Sequence, residues 1–182
     1  MAGGKAAVLF ASNAFYVGPP SVAGIEGSSD RTIEVRAFNP TITPEESMVT
    51  WSDRMDQTGN GGMMSFNYGN NTSWGAVIHW NIADMPWGPA VTDSPTAGQW
   101  HHLVYTYDGA DAHVFADGIQ KNQKNINLET RAGFSINLAA QRDGAGFTLH
   151  AGLAMAIIRV HDGELSAGEI KSNYDNELPR FQ

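Results

Sequence analysis

Gly98 to Gly118 reads GQWHHLVYTYDGADAHVFADG, and this stretch decides the fold. Leu103, Tyr105 and Tyr107 alternate with His102, Val104 and Thr106. His113, Phe115 and Asp117 alternate with Val114 and Ala116. Period-2 runs rich in aromatic and β-branched residues read as strands. Asp108-Gly109 supplies the positive φ that a tight reversal needs, and Asp117-Gly118 turns the chain again. The stretch is therefore predicted to be a β-hairpin at the centre of a sheet.

The flanking chain reads the same way. Thr32 to Pro40 is a strand with Ile33, Val35 and Ala37 toward a core and Glu34, Arg36 and Phe38 away from it. Ala7 to Val17 reads as a strand, a bend and a second strand, which Gly18-Pro19-Pro20 ends because proline has no amide for a ladder. Met48 to Arg54, Met63 to Tyr68, Trp74 to Trp80, Phe134 to Gln141 and Leu153 to His161 read as further strands, with Thr58 to Gly62 a loop. Asn81 to Ala97, with Pro86, Pro89 and Pro95, is the longest irregular connection. Loops of that length in compact domains are usually functional or mobile. After a turn at Asp162-Gly163, Ser166 and Glu169 form a capping box, and Leu165 can staple onto Ile170, so a short C-terminal helix is predicted.

The whole reads as an all-β, two-sheet antiparallel sandwich with one short helix, a single domain over residues 1–182 in which residues 1–5 are the start of an excised fragment or a disordered lead-in. The 182 residues can bury a large core without staples, and the chain has no Cys. Net charge is -8, from 19 acidic and 11 basic residues, which repels phosphate backbones and argues against nucleic acid as a partner. No apolar run reaches membrane-spanning length, so no membrane insertion is expected. The apolar run Ala6 to Ala11 is too short for a signal-peptide core.

The hairpin resembles the signature of the laminin G-like, concanavalin A-like jelly roll family. The resemblance rests on Trp100-His101-His102-Leu103-Val104, Thr106-Tyr107-Asp108-Gly109 and Val114-Phe115-Ala116-Asp117-Gly118. Thr32 to Ala37 resembles the family's Thr-Ile-Glu-Ala-Trp-Val strand, with Arg36 where that tryptophan usually stands, and the capped tail through Tyr174 is similar as well. The resemblance runs from about Val8 to Tyr174. It implies a jelly roll of the kind that bacteria attach to secreted enzymes and surface proteins, acting outside the cell or on its surface on a glycan or cell-surface polysaccharide. A protein-binding adhesion or assembly module is the alternative it leaves open, and a polysaccharide-active enzyme with an unrecognised site is a weaker one. Many relatives hold a structural Ca²⁺. Asp30, Asp108, Asp117 and Asp162 sit at turns where such ligands occur, but none is assigned as a ligand here, because Asp in Asp-Gly turns serves the turn itself.

Catalytic constellations are not apparent. Glucanases of this fold carry a Glu-x-Asp-x-Glu type strand with two carboxylates about 5 Å apart, and no such run occurs. Glu45-Glu46, Glu164 and Glu169 read as solvated carboxylates. The six His include no His-Glu-x-x-His, and no Gly-x-Ser-x-Gly is present. His101 and His102 point to opposite faces of a strand and read as structural. The chain is expected not to be an enzyme.

The remaining signal is aromatic. Five Trp occur, four of them from Trp51 to Trp87, and Trp100 reads as core. Trp74, Ala76, Ile78 and Trp80 share one strand face, and Val77 and His79 share the other. An exposed Trp74–Trp80 face beside Asp84 and Trp87, with Tyr68 near and His79 as an alternate, has what a sugar needs: a flat ring for its C–H face and polar groups for its hydroxyls. The same residues can equally fill a sandwich core. On the binding reading, Trp87→Ala leaves the melting temperature near wild type and lowers glycan retention.

Overall fold

The computed structural model describes residues 4–56, 61–69, 77–80 and 84–182, and of His79 and Val91 the backbone alone. Among these, thirteen strands and one helix follow in order: β1 (Val8–Leu9), β2 (Tyr16–Pro20), β3 (Arg31–Phe38), β4 (Ser47–Trp51), β5 (Met64–Asn67), β6 (Ile78–His79), β7 (Trp100–Tyr107), β8 (Asp111–Ala116), β9 (Ile119–Asn125), β10 (Ser135–Leu138), β11 (Gln141–Asp143), β12 (Gly146–Thr148), β13 (Ala154–His161) and α1 (Ala167–Phe181). They form a six-stranded sheet β1-β13-β3-β7-β8-β9, a five-stranded sheet β2-β10-β4-β5-β6 and a small β11-β12 ribbon. The pairings within the two large sheets are antiparallel, as the alternating strands predict. This is the jelly roll sandwich expected.

The quoted hairpin is β7 and β8, paired from Leu103↔Ala116 to Tyr107↔Ala112, with β3 on its other side. Gly109 sits at φ +93°, and Asp108 Oδ1 accepts from the amides of Ala110 and Asp111, which holds its carboxyl below the usual range. The core lies where the two sheets face each other. Ile33, Val35, Ala37, Leu103, Tyr105, Tyr107 and Val114 come from one sheet, and Val49, Trp51, Met64, Phe66 and Ile78 from the other, all buried.

The middle of the outward face of the six-stranded sheet is covered as well, because α1 lies across it. Ile170 packs on Val104, Phe115 and Leu165, and the Phe181 ring sits 5.1 Å from Trp100. Trp100 thus packs in this second layer, between Phe38 and Phe181, half-buried rather than in the sandwich core. Arg36 faces outward as alternation predicts, yet it is buried: its guanidinium lies over Tyr174 and Phe181 and donates to Glu177 Oε2 (2.8 Å) and the Tyr174 carbonyl (2.8 Å). A flat cation with an apolar rim and five donors suits a layer that is part aromatic, part acidic.

The predicted capping box is present, with Ser166 accepting from the Glu169 amide and Glu169 accepting from the Ser166 amide (2.8 Å). The helix is longer than the cap alone suggests, 15 residues, because Arg36, Val104 and Phe115 give it a surface to follow. Ser166→Ala is expected to cost about 1 kcal/mol and lower Tm by about 2–4 °C, read by calorimetry.

Several strands depart from the sequence reading. β2 runs through Pro19 and Pro20 rather than stopping before them; it is an edge strand, bonded only to β10, so the missing amides need not face a partner. β9 is polar, IQKNQKN, and lacks apolar alternation because it forms the solvated edge of its sheet. The predicted Trp74–Trp80 strand is seen only as β6, since residues 70–76 lie outside the described ones. Glu45 and Glu46, expected to be solvated, are buried, because the turn before β4 folds against the sandwich rim.

Candidate functional site

The aromatic platform expected on β6 and its loop is core. Trp80, Trp87 and Tyr68 are fully buried. Alternation correctly places Ile78 and Trp80 on one face, but that face looks inward, where the Trp80 ring lies 6.2 Å from Tyr105. Trp87 packs 6.0 Å from Phe66 and donates Nε1–H to the Tyr68 carbonyl at 2.7 Å. Tyr68 donates its hydroxyl to the Thr96 carbonyl at 2.9 Å, and burial, with Asp117 and Glu46 adding negative charge, pushes its phenol far up. None of these three rings offers a plane to a ligand. Asp84 is half-buried, and its Oδ1 accepts from the Trp80 amide at 3.0 Å, tying the loop to β6. His79 stands opposite Ser65 in register, with its side chain outside the described residues, and Trp74 lies wholly outside them.

What the irregular connection does build is a cleft. The chain from Trp87 to Thr96 arches beside the β7–β8 ends and the start of β9, enclosing about 500 Å³ open to solvent. Pro89, Thr92, Asp93 and Thr96 line one side, and His101, Asp117, Ile119 and Lys121 the other. The arch is held by local bonds. Asp93 Oδ2 accepts from the Ala90 amide at 2.8 Å, Asn122 donates to the Pro86 carbonyl at 2.8 Å, and the Gly98 amide donates to the Asn39 carbonyl at 2.8 Å. A Cβ on Gly88 would stand 2.4 Å from Asp93 Oδ2, so the arch closes this tightly only with glycine there. This volume and mixed lining lie in the range of small-ligand sites. Ile119 is 60 % exposed and offers an apolar wall, and Lys121 is exposed at the rim.

At the floor of the cleft, His101 Nδ1 lies 2.6 Å from Asp117 Oδ2, and Nε2 lies 3.0 Å from the Thr96 carbonyl and 3.2 Å from its hydroxyl. Hydroxyl, imidazole and carboxylate are thus in line, and both ring nitrogens are engaged, Nδ1 by Asp117 and Nε2 by Thr96. Asp117 Oδ1 accepts from the His102 amide at 2.9 Å. Burial pushes the Asp117 carboxyl up, and the His101 and His102 bonds outweigh it, leaving the group below the usual range. The arrangement is a clamp between the arch and the hairpin. Sequence reasoning read His101 as structural but missed its partners, since Thr96 and Asp117 meet it only in three dimensions.

No group of three or more His, Asp or Glu side chains is placed to hold a metal among the described residues. A set of loop carbonyls of the kind that holds Ca²⁺, those of Ile25, Gly27 and Ser29, is occupied by Arg31 Nη1 at 3.1–3.2 Å, with Nη2 donating to Thr130 at 2.9 Å. Among the Asp residues at turns, Asp108 spends Oδ1 and Asp117 spends both oxygens on the bonds described above.

A search of the curated proteins found no match. Among solved structures, domain 4 of AbnA, a GH43 extracellular arabinanase from Geobacillus stearothermophilus solved with arabinotriose, aligns at TM-score 0.56 and 16% identity over 91% of this chain and 75% of that one. The binding domain of Paraclostridial Mosquitocidal Protein 1 aligns at TM-score 0.61 and 12% identity, over 94% of this chain and 43% of that one. The NanB sialidase from Streptococcus pneumoniae aligns at TM-score 0.63 and 10% identity, over 92% of this chain and 27% of that one. The chain therefore spans under half the length of the last two, and identities this low speak for the fold alone. A laminin G-type family model, described as the concanavalin A-like lectin/glucanases superfamily, matches residues 20–171. With that match and the two-sheet jelly roll that carries it, the chain belongs to the concanavalin A-like lectin/glucanases superfamily.

Proposed function

We propose that this chain is a non-catalytic carbohydrate-binding module of a larger secreted or surface protein, and that the cleft under the Trp87–Thr96 arch takes the glycan. The observation that carries the reading is the cleft itself: an open cavity of about 500 Å³ with an apolar wall at Ile119 and Pro89 and hydrogen-bonding groups at Thr92, Asp93 and Lys121. A sugar needs that mixture, and a shallow site of this kind binds at roughly millimolar to micromolar Kd. The similarity to an arabinanase domain solved with arabinotriose supports a glycan as the ligand class. Non-catalysis is supported by the His101 clamp, in which imidazole and carboxylate are both committed to holding the arch.

Retention on immobilised polysaccharides tests it. Ile119→Ala with Lys121→Ala, both exposed, should leave Tm unchanged and weaken retention at least tenfold. Unchanged retention removes the cleft, and reducing-end release above a heat-killed control removes the non-catalytic reading. A protein-binding adhesion module is the second reading, favoured by Val8, Leu9, Tyr16 and Val17, which are exposed on the edge strands β1 and β2.

A further inference from the structure

Residues 8–17 close one flank of the sandwich, where an edge strand of each sheet lies. The Phe66 ring of β5 and the Trp80 ring after β6 lie against Tyr105 of β7, and the Arg31 guanidinium of β3 lies over Trp51 of β4. The two sheets therefore face each other in the same strand order, and β1 and β2 end them on the same side. Ser12 and Asn13, both left-handed, with the Ala14 amide on the Ala11 carbonyl (3.0 Å), turn the chain from one edge to the other. Each edge is open, since β1 pairs only with β13 and β2 only with β10. Of the eight large apolar side chains exposed among the described residues, five stand here: Val8, Leu9, Phe15, Tyr16 and Val17. They present roughly 500 Å², at the upper end of what an ordinary monomer shows in one apolar patch. Phe15 is held by Phe147, with ring centroids 4.4 Å apart, so the patch is formed in advance. No charged residue stands between Lys5 and Glu26. The next strands in, β10 and residues 154–158 of β13, are uncharged too. Sheet edges are usually guarded by charge, and this one is not.

We infer that this flank is the contact between two copies of the chain, related by a two-fold axis. Such a contact needs one patch complementary to itself, and a neutral apolar patch meets that need without pairing any charge. Charge decides the partner. At -8, two copies repel wherever acidic faces meet, and at this flank they can approach with no like charges in contact. A basic partner would be drawn to the acidic faces and would gain nothing from a flank that has no charge to pair. The area fits as well. Roughly 500 Å² of apolar surface, with Pro19 and Pro20 exposed alongside, is most of the about 800 Å² that each partner gives to a standard interface. Pro19 and Pro20 remove two amides from β2, so the contact rests on packed side chains rather than on a shared ladder. The Trp87–Thr96 cleft lies against β9, at the opposite edge of the six-stranded sheet from β1. Two joined copies therefore keep both clefts open, which lets two weak sites act together on one polymer. The contact gives a partner to the flank that favours a protein-binding role, and it stands whether or not the cleft binds glycan.

The test is sedimentation equilibrium of the full chain from about 5 to about 500 μM. The mass should rise from 19.6 kDa toward twice that value. Raising the salt should tighten the association, because salt screens the repulsion between two acidic copies and leaves the apolar contact intact. Leu9→Lys with Tyr16→Lys, both at exposed positions, should keep the Tm of wild type and weaken association at least tenfold. The chain has no Cys, so a single introduced one can be cross-linked only between copies. Val17→Cys should be trapped as a dimer by a flexible bis-maleimide, at least tenfold more than Met55→Cys or Ile119→Cys, which are similarly exposed elsewhere. A monomer throughout the range, which would leave the flank to an unlike protein, overturns the proposal. So does association that weakens as salt rises, a dimer unchanged by the two lysines, or equal trapping at the three cysteine positions.

Discussion

Trp87→Ala is expected to destabilise the protein by about 3–5 kcal/mol, as large-to-small changes at buried aromatics do. The ring is fully buried against Phe66, at the point where the irregular chain after β6 closes the sandwich. Its loss opens a cavity and also strands the Tyr68 carbonyl, which accepts Nε1–H at 2.7 Å. Domains of this kind have about 5–15 kcal/mol in hand, so the variant gives up a large fraction of its stability. Tm should fall by roughly 6–20 °C at about 2–4 °C per kcal/mol. The arch over the cleft starts at this residue, so glycan retention should fall with stability rather than independently of it. Urea unfolding of both proteins checks this. A variant within a degree or two of wild type, with retention alone reduced, would return Trp87 to the role of an exposed stacking surface.

Glu34→Ala should cost a similar amount, about 3–5 kcal/mol, because it leaves a cluster of buried donors without an acceptor. Glu34 is 0% exposed at the middle of β3, beneath α1. Its Oε2 faces His102 Nε2 and Asn173 Nδ2, each at 3.0 Å, and its Oε1 faces His161 Nε2 at 2.9 Å. Burial pushes the carboxyl up, and the bonds from His102, Asn173 and His161 outweigh it, holding the group at about 2 against an ordinary 4.5. A carboxyl depressed in the folded state stabilises the fold above its unfolded pKa. That contribution is complete above about pH 4.5 and is lost as pH falls toward about 2. Allowing for partial screening, it amounts to about 2–3 kcal/mol. Asp117 and Glu177 are also depressed and add their own acid sensitivity. The difference between wild type and Glu34→Ala isolates the Glu34 share: it should be full at pH 6 and shrink by about 1.5–2 kcal/mol on going to pH 2.5. Equal pH slopes for the two proteins would show that Glu34 is not the group responsible.

Neither Trp87 nor Glu34 shows its depth in the chain, because segments distant in sequence bury both. Features set by near neighbours in the chain were readable from residues alone. The β7–β8 hairpin follows from period 2 and two Asp-Gly turns, the inward Ile33, Val35 and Ala37 from alternation along β3, and the start of α1 from Ser166 and Glu169. Each depends on contacts within a few residues or on a pattern that a strand must repeat. The polar edge strand β9 and the prolines of β2 were not readable, because an edge needs neither an apolar face nor a full ladder, and which strand is an edge depends on the whole sheet order. The candidate sites divide in the same way. That the connection before the hairpin is long and irregular showed in its length and prolines, but the side chains that line its cleft from β7 to β9 did not, being brought there by sheet pairing.

What the sequence by itself determined is the class of fold, the strand-to-strand rhythm and the capped helix, since local backbone geometry and turn chemistry fix them. What only the tertiary structure decided is direction and depth. Alternation says that Ile78 and Trp80 share a face, yet only the opposing sheet makes that face the core. Glu34, Arg36 and Glu46 look like surface charges in the chain, and they are buried because a helix packed from over a hundred residues away, or a neighbouring loop, covers them and supplies their hydrogen bonds. Burial is a property of what lies opposite a residue, and in this sandwich most of what lies opposite comes from distant chain.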